Sequence, residues 1–382
     1  MQQILADCFQ TAMTDVADPE LAAQSLASQL LHPHLGFVLF FCSAHYPLER
    51  LGAALEQHFG GVMLVGCTTA GEITPQGYGR GCISAVGFDC RAFAIDSTLI
   101  SALDDFSLVD AQAAVDRMLS HCRQAGLAPI KGHTFALTLL DGLSSREEVV
   151  LATLGATLGS IPHFGGSAGG DDHPVHTYVY YQGRFHSAAA VVVMVNTWLD
   201  FEVFTTHNLQ AKAEKLVVTA ADNDRRTVLE LNAEPAAEEY ARLVGVPVEQ
   251  LSTATFALNA LAVRIRDQFY ARAIQRVNAD GSLTFYCAVD TGIVLTAMAS
   301  RPLLPDLRKQ MEQLRQRLGE PVLIIACDCV LRRLEAELLG EDELLASYMA
   351  SNAVIGFNTY GEQFNGMHIN QTLTGVAFAY PR

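Results

Sequence analysis

Gly66-Cys67-Thr68-Thr69-Ala70-Gly71-Glu72 follows the short apolar run Val62 to Val65, and Gly356-Phe357-Asn358-Thr359-Tyr360-Gly361-Glu362 repeats its pattern, G-x-x-T-x-G-E, near the other end of the chain. Upstream of each motif lies an apolar strand ending near a cysteine, Cys42 or Cys327. A helix containing Leu48-Glu49-Arg50-Leu51 or Leu331-Arg332-Arg333-Leu334 comes next, and another strand follows each motif. Repeats mark the segments a fold treats as equivalent units. A third unit has the same order with a looser motif: strand Thr134 to Leu140, a helix from Ser145, then Phe164-Gly165-Gly166-Ser167-Ala168-Gly169-Gly170-Asp171-Asp172.

Outward from these motifs, short β-rich runs alternate with helical patterns, which predicts an α/β fold. Strands are expected at Leu35 to Cys42, Cys82 to Phe88 and Phe93 to Ile100, and helices at Pro47 to Phe59, Ser107 to Gln124 and Ser145 to Leu158. A hairpin closes at Gln182-Gly183 between His176 to Tyr181 and Arg184 to Val195. Past about 211 the pattern restarts with a strand at Lys215 to Thr219 and helices at Arg225 to Leu231 and Glu234 to Leu243. The reading is two related α/β halves, 1–210 and 211–382, with mixed β-sheets flanked by helices.

The length of 382 residues suits two or three domains, and half the residues are apolar while 17% are charged, so the chain folds into a large core. A net charge of −16 with dispersed basic residues argues against nucleic acid or an anionic membrane surface as partner. The longest apolar runs, Leu35 to Cys42 and Ala188 to Val195, fall well short of the roughly 20 residues that span a bilayer. The opening Met1 to Asp7 lacks a secretory pattern, and the nine cysteines are irregularly spaced, so a cytoplasmic protein is expected.

Glycine-rich turns after strands let backbone N–H groups approach a ligand. Gly66, Cys67, Thr68, Thr69, Gly71, Glu72, Gly165, Gly166 and Glu362 are therefore ligand-pocket candidates. The alternative is that these glycines serve tight strand exits. Neither turn has the Gly-Lys-Ser/Thr of a P-loop or the G-x-G-x-x-G of a dinucleotide fold. Cys67, inside the first turn, is either a nucleophile or a packed core residue. Cys327-Asp328-Cys329 offers two thiolates but no further pair to complete a zinc site. His368 lies on a β-patterned segment with apolar neighbours. It is either a structural residue or an imidazole able to ligate haem iron, with Met367 beside it for packing or weak ligation.

Val65 to Ile73, Asp141-Gly142-Leu143-Ser144 with Gly165 to Gly169, and Gly361-Glu362 with His368 to Thr374 together resemble the FIST family of bacterial sensory proteins. The likeness runs from about residue 30 to the end, an N-type region followed by a C-type region. The ending is similar to stand-alone members that respond to nitric oxide through haem. That resemblance implies a non-enzymatic cytoplasmic sensor with non-covalent haem b, His368 as iron ligand and Met367 nearby. Arg332, Arg333 or Arg264 would meet the propionates. Its signal would pass to a partner histidine kinase, and homo-oligomerisation is compatible with it. Two other functions stay open: a sensory pocket for a small, amino-acid-like organic ligand, and a cysteine-dependent hydrolase.

Overall fold

The computed structural model describes residues 8–171 and 176–381; Asp172 and the opening seven residues, on which two of the sequence readings fall, lie outside them. Buried apolar strands explain the basic unit. Leu35–Ser43 and Met63–Thr69 run parallel, and parallel neighbours need a crossover, here the helix Leu48–His58. The same β-α-β unit recurs as Thr134–Leu140, Glu147–Leu158 and His163–Ser167. It recurs again as Leu323–Cys329, the helices Val330–Leu339 and Asp342–Ser351, and Val354–Thr359. Each unit continues into a small hairpin and then an antiparallel strand, Ile83–Asp89, Ala190–Thr197 or Leu373–Ala379, beside its own first strand.

An outer strand completes each sheet: Phe9–Thr14, Phe93–Ile100 or Asp200–Thr206. The first two lead into the helices Pro19–Leu30 and Leu108–Ala125, which begin at side-chain caps. Asp18 accepts from the Leu21 amide, and Ser107 forms a reciprocal capping box with Asp110. In the third repeat the chain first builds a separate eight-stranded sheet between Leu209 and Ser300, then enters the equivalent helix Leu303–Leu318. The sequence boundary near 210 marks the entry into that fourth sheet. Its core is its own, with Tyr240 and Phe256 from the helices Ala236–Val244 and Thr253–Leu258 packed on Val218, Val228 and Leu295.

The hairpins tie the three repeats into a ring. Glu72–Thr74 with Gly77–Gly79, from the first repeat, extends the third repeat's sheet through Val354–Thr359. Glu362–Phe364 with Met367–Ile369, from the third, extends the second repeat's sheet through His163–Ser167. Val179–Tyr181 with Arg184–His186, from the second, extends the first repeat's sheet through Met63–Thr69. The outcome is three six-stranded mixed sheets related by a cyclic exchange. Their inner faces share one core, in which Phe41 stacks on Phe357 at 4.6 Å and Phe378 meets Phe93 and Phe135 at 5.8 and 5.7 Å. Helices cover the outer faces. Among the described residues no helix is long and apolar enough to cross a membrane.

Two local readings are corrected. The turn at Gln182-Gly183 is present, with both residues at positive φ, but its second strand stops at His186. Ala190–Thr197 belongs to a different sheet. Arg225 to Leu231 is a turn and the strand Thr227–Leu231, because Asp222-Asn223-Asp224 favour a turn over a helix start.

Candidate ligand-binding site

The three glycine-rich turns meet at the centre of the ring, each hydrogen-bonded to the next repeat. The Ala70 amide donates to the Asn358 carbonyl at 3.0 Å, the Gly169 amide to that of Thr68 at 2.9 Å, and the Ser167 amide to that of Gly361 at 2.8 Å. Thr68, Thr69, Glu72 and Glu362 are fully buried. A Cβ on Gly66 would stand 2.5 Å from the Phe40 carbonyl oxygen, and one on Gly166 would stand 2.6 Å from Thr359 Cγ2. Gly165 is closed in the same way by Thr138 and Gln363, and Gly71, at φ +139°, by Arg333. Close approach of protein to protein, with no space left for a ligand, accounts for these glycines.

Each acidic end caps its own hairpin. Glu72 accepts from Thr69 Oγ1 at 2.5 Å and from Cys82 Sγ at 3.2 Å. Glu362 accepts from Thr359 Oγ1 and from the Thr372 amide at 3.0 Å and hydroxyl at 2.9 Å. Burial pushes the Glu362 carboxyl up to about 8, against these hydrogen bonds. Cys67 is fully buried, and burial pushes its thiol well up, the reverse of what a thiolate nucleophile needs. Burial acts alike on Cys327 and Cys329.

His368 occupies different surroundings from the cavity edge that haem ligation requires. Its side chain is 1% exposed and wedged among Glu148, with Nδ1 3.2 Å from Oε1, Glu147, with Nε2 3.9 Å from Oε1, and Gly361, where even a Cβ would collide with Nε2. Among the described residues it lines none of the five best-formed hollows. Met367 is half-buried on the same short strand, while Arg332 pairs with Asp328 at 2.9 Å and Asn208 at 3.0 Å. A porphyrin does not fit between these groups: the face of the imidazole is closed by protein, and the Arg332 guanidinium already has its acceptors.

The side chains that do surround His368 went unread in the sequence. Glu147 and Glu148 open the helix Glu147–Leu158, and both face Arg226, from the fourth-sheet unit. Arg226 Nη2 donates to Glu148 Oε2 at 2.6 Å and Nη1 donates to the Tyr286 carbonyl at 2.9 Å. Ser167 Oγ donates to Glu147 Oε1 at 2.9 Å. Burial pushes both carboxyls up. For Glu147 it prevails over Arg226; for Glu148 the hydrogen bond to His368 and the attraction of Arg226 hold the group well below the carboxylate range. Glu147, Glu148 and His368 are the one His/Cys/Asp/Glu cluster among the described residues close enough to share a cation, and the Arg226 guanidinium supplies that positive charge.

Arg226 also lines a cleft of about 770 Å³ between the ring and the fourth-sheet unit. The size suits a small organic molecule, for which sites of roughly 300–1,000 Å³ are usual. The ring contributes Gly142, Leu143, Ser145 and Tyr360, and the fourth-sheet unit contributes Arg225, Arg226, Arg276, Ser252, Phe256 and Tyr286. Of the sequence motifs, Asp141-Gly142-Leu143-Ser144 therefore does reach a cavity: buried Asp141 accepts from the Leu143 amide at 3.0 Å and fixes the loop. Arg226 sits at φ +52°, an uncommon setting for a side-chain-bearing residue, and its buried Nε has no acceptor. Three arginines against one lining carboxylate, Asp224, with aromatic rings alongside, favour an anionic organic ligand.

Two family models match the chain. The FIST N domain matches residues 36–234 and the FIST C domain residues 236–365. The chain belongs to the FIST family, a class of signal-transduction sensor domains. No curated protein matches it. Among solved structures it is similar to T. maritima PurL complexed with FGAR, at 12% identity and a TM-score of 0.20, over 98% of this chain and 73% of that one.

Proposed function

We propose that this FIST protein is a non-catalytic sensor for a small organic acid, of amino-acid size and kind, bound in the cleft between the ring and the fourth-sheet unit. The observation that carries the reading is the convergence of Arg225, Arg226 and Arg276 on the lining of that cleft, against the single carboxylate of Asp224. A carboxylate there would meet the exposed guanidinium groups of Arg225 and Arg276, with the buried Arg226 adding its charge from behind them. The second consequence is coupling. Arg226 is held by Glu147 and Glu148 from the second repeat and, through Glu148, by His368 from the third. A ligand that draws on Arg226 shifts the balance of this network, and a ligand can signal only through such a difference between two states. The state of the cleft is then passed to a separate signalling protein, such as a histidine kinase.

A thermal-shift screen of amino acids and small mono- and dicarboxylates tests the proposal. Stabilisation by one acid class, lost on Arg276→Ala, is the expected result. No stabilisation by any acid would overturn it, as would a Soret band formed on haem addition that moves with nitric oxide and disappears in His368→Ala.

A further inference from the structure

The fourth-sheet unit bears a second hollow, about 720 Å³, in which Lys212, Lys215 and Arg264 surround the apolar Val263, Phe269 and Ile293. No Asp or Glu lines it. In a chain of net charge −16 with four lysines, the two at 212 and 215 meet at this one spot. Glu214, between them, lines a neighbouring hollow with Leu243 and Val244, which Lys212 borders as well. The basic groups are exposed, while Arg264 lies 6.0 Å from the centre of the Phe269 ring and so extends the apolar floor.

The backbone here is equally open. Leu209–Asp222 pairs with Val294–Ser300 on one side, but the register slips between Ala211 and Lys215. On its other side, pairing with Thr227–Leu231 starts only at Val218. Residues 210–215 are exposed. Open strand edges accept extended peptides, with main-chain bonds giving affinity and side-chain pockets giving selectivity. Lysines on an edge also serve to block self-pairing. That service asks only for charge, whereas the sheet face beside this edge, running across Val294–Ser300 to Val263 and Phe269, adds a hollow with an apolar floor.

We propose that this groove docks an extended acidic segment of a partner protein, its carboxylates on Lys212, Lys215 and Arg264 and its apolar side chains on Phe269 and Ile293. The positive lining selects an acidic segment, and the net charge of −16 on each copy of this chain opposes the approach of a second copy. The proposal does not rest on the ligand reading. The probe is a fluorescein-labelled Glu-Val-Glu-Val-Glu-Val-Glu peptide, followed by fluorescence anisotropy, with the Lys-Val counterpart as control. K212E/K215E is compared with K131E/K309E, which changes net charge equally at other exposed sites. Circular dichroism verifies that both variants fold.

Saturable binding of the acidic peptide is expected, falling as salt rises above about 100 mM. K212E/K215E should weaken it roughly tenfold or more, and K131E/K309E much less. The proposal is overturned if the wild-type protein shows no saturable binding or if both variants lose affinity equally. It is also overturned if sedimentation reveals a dimer that K212E/K215E abolishes, which would give the groove to a second copy. Pure edge protection is separated too, because glutamates block self-pairing as lysines do while repelling the peptide.

Discussion

Arg226→Met puts the Glu147–Arg226–Glu148 network under the most direct strain. Glu147 and Arg226 are 1% and 8% exposed at the side chain, so removing the cation strands a carboxylate in the interior. Breaking a buried pair in this way costs about 3–5 kcal/mol. The cost has a definite pH dependence. Burial already raises the Glu147 carboxyl, with Arg226 opposing it, so removing Arg226 raises it further. A group raised in the folded state contributes stability below its unfolded value and loses it as pH rises through its folded value. The variant is therefore expected to lie closest to wild type in mildly acidic buffer and to fall behind as the buffer becomes alkaline. Urea unfolding followed by circular dichroism across pH 5.5 to 8.5 measures this, and adding Glu147→Gln should return part of the loss. A deficit under about 1 kcal/mol at the alkaline end would refute the reasoning, because it would mean the pair is solvated or unformed.

Three further outcomes follow from the central junction and the cysteines. Glu362→Gln should gain stability over wild type as pH rises through about 8, where the buried carboxyl must ionise, and should match it near pH 4.5; parallel stability curves would contradict the burial argument. Gly361→Ala should destabilise by roughly 1–3 kcal/mol, since the new methyl meets the His368 ring, and an unchanged urea midpoint would show that the ring has room to move. Thiol titration of the native protein should find Cys90, the one exposed cysteine, reacting fast, while Cys67 waits for unfolding; rapid labelling of Cys67 would reopen the nucleophile reading.

The sequence made local architecture readable. Apolar strands such as Leu35–Ser43 and Thr134–Leu140 were visible as buried runs, and the crossover helices between them imposed the parallel pairing. The match of Gly66–Glu72 with Gly356–Glu362 named equivalent places, as did the looser third unit. Hairpin exchange was hidden, because which sheet receives Glu72–Thr74 or Glu362–Phe364 is decided by contacts hundreds of residues away. The cleft was hidden for the same reason: Ser145, Arg226, Arg276 and Tyr360 come from separate segments with no shared motif. Glu147 and Glu148 gave no signal, since acidic residues in a first helical turn are ordinary partners of the helix dipole. His368 attracted attention for its apolar neighbours, but the side chains that surround it are Glu147 and Glu148, brought in by the second repeat.

Calorimetric titration of the acid selected by the thermal screen, into wild-type protein and Arg276→Ala, puts the central claim to its most direct test. The account requires a single saturable site in the wild-type protein and binding weakened by roughly tenfold or more in the variant, as for loss of a charge-assisted contact. Equal binding by the two proteins would place the ligand elsewhere and contradict the cleft as the sensory site.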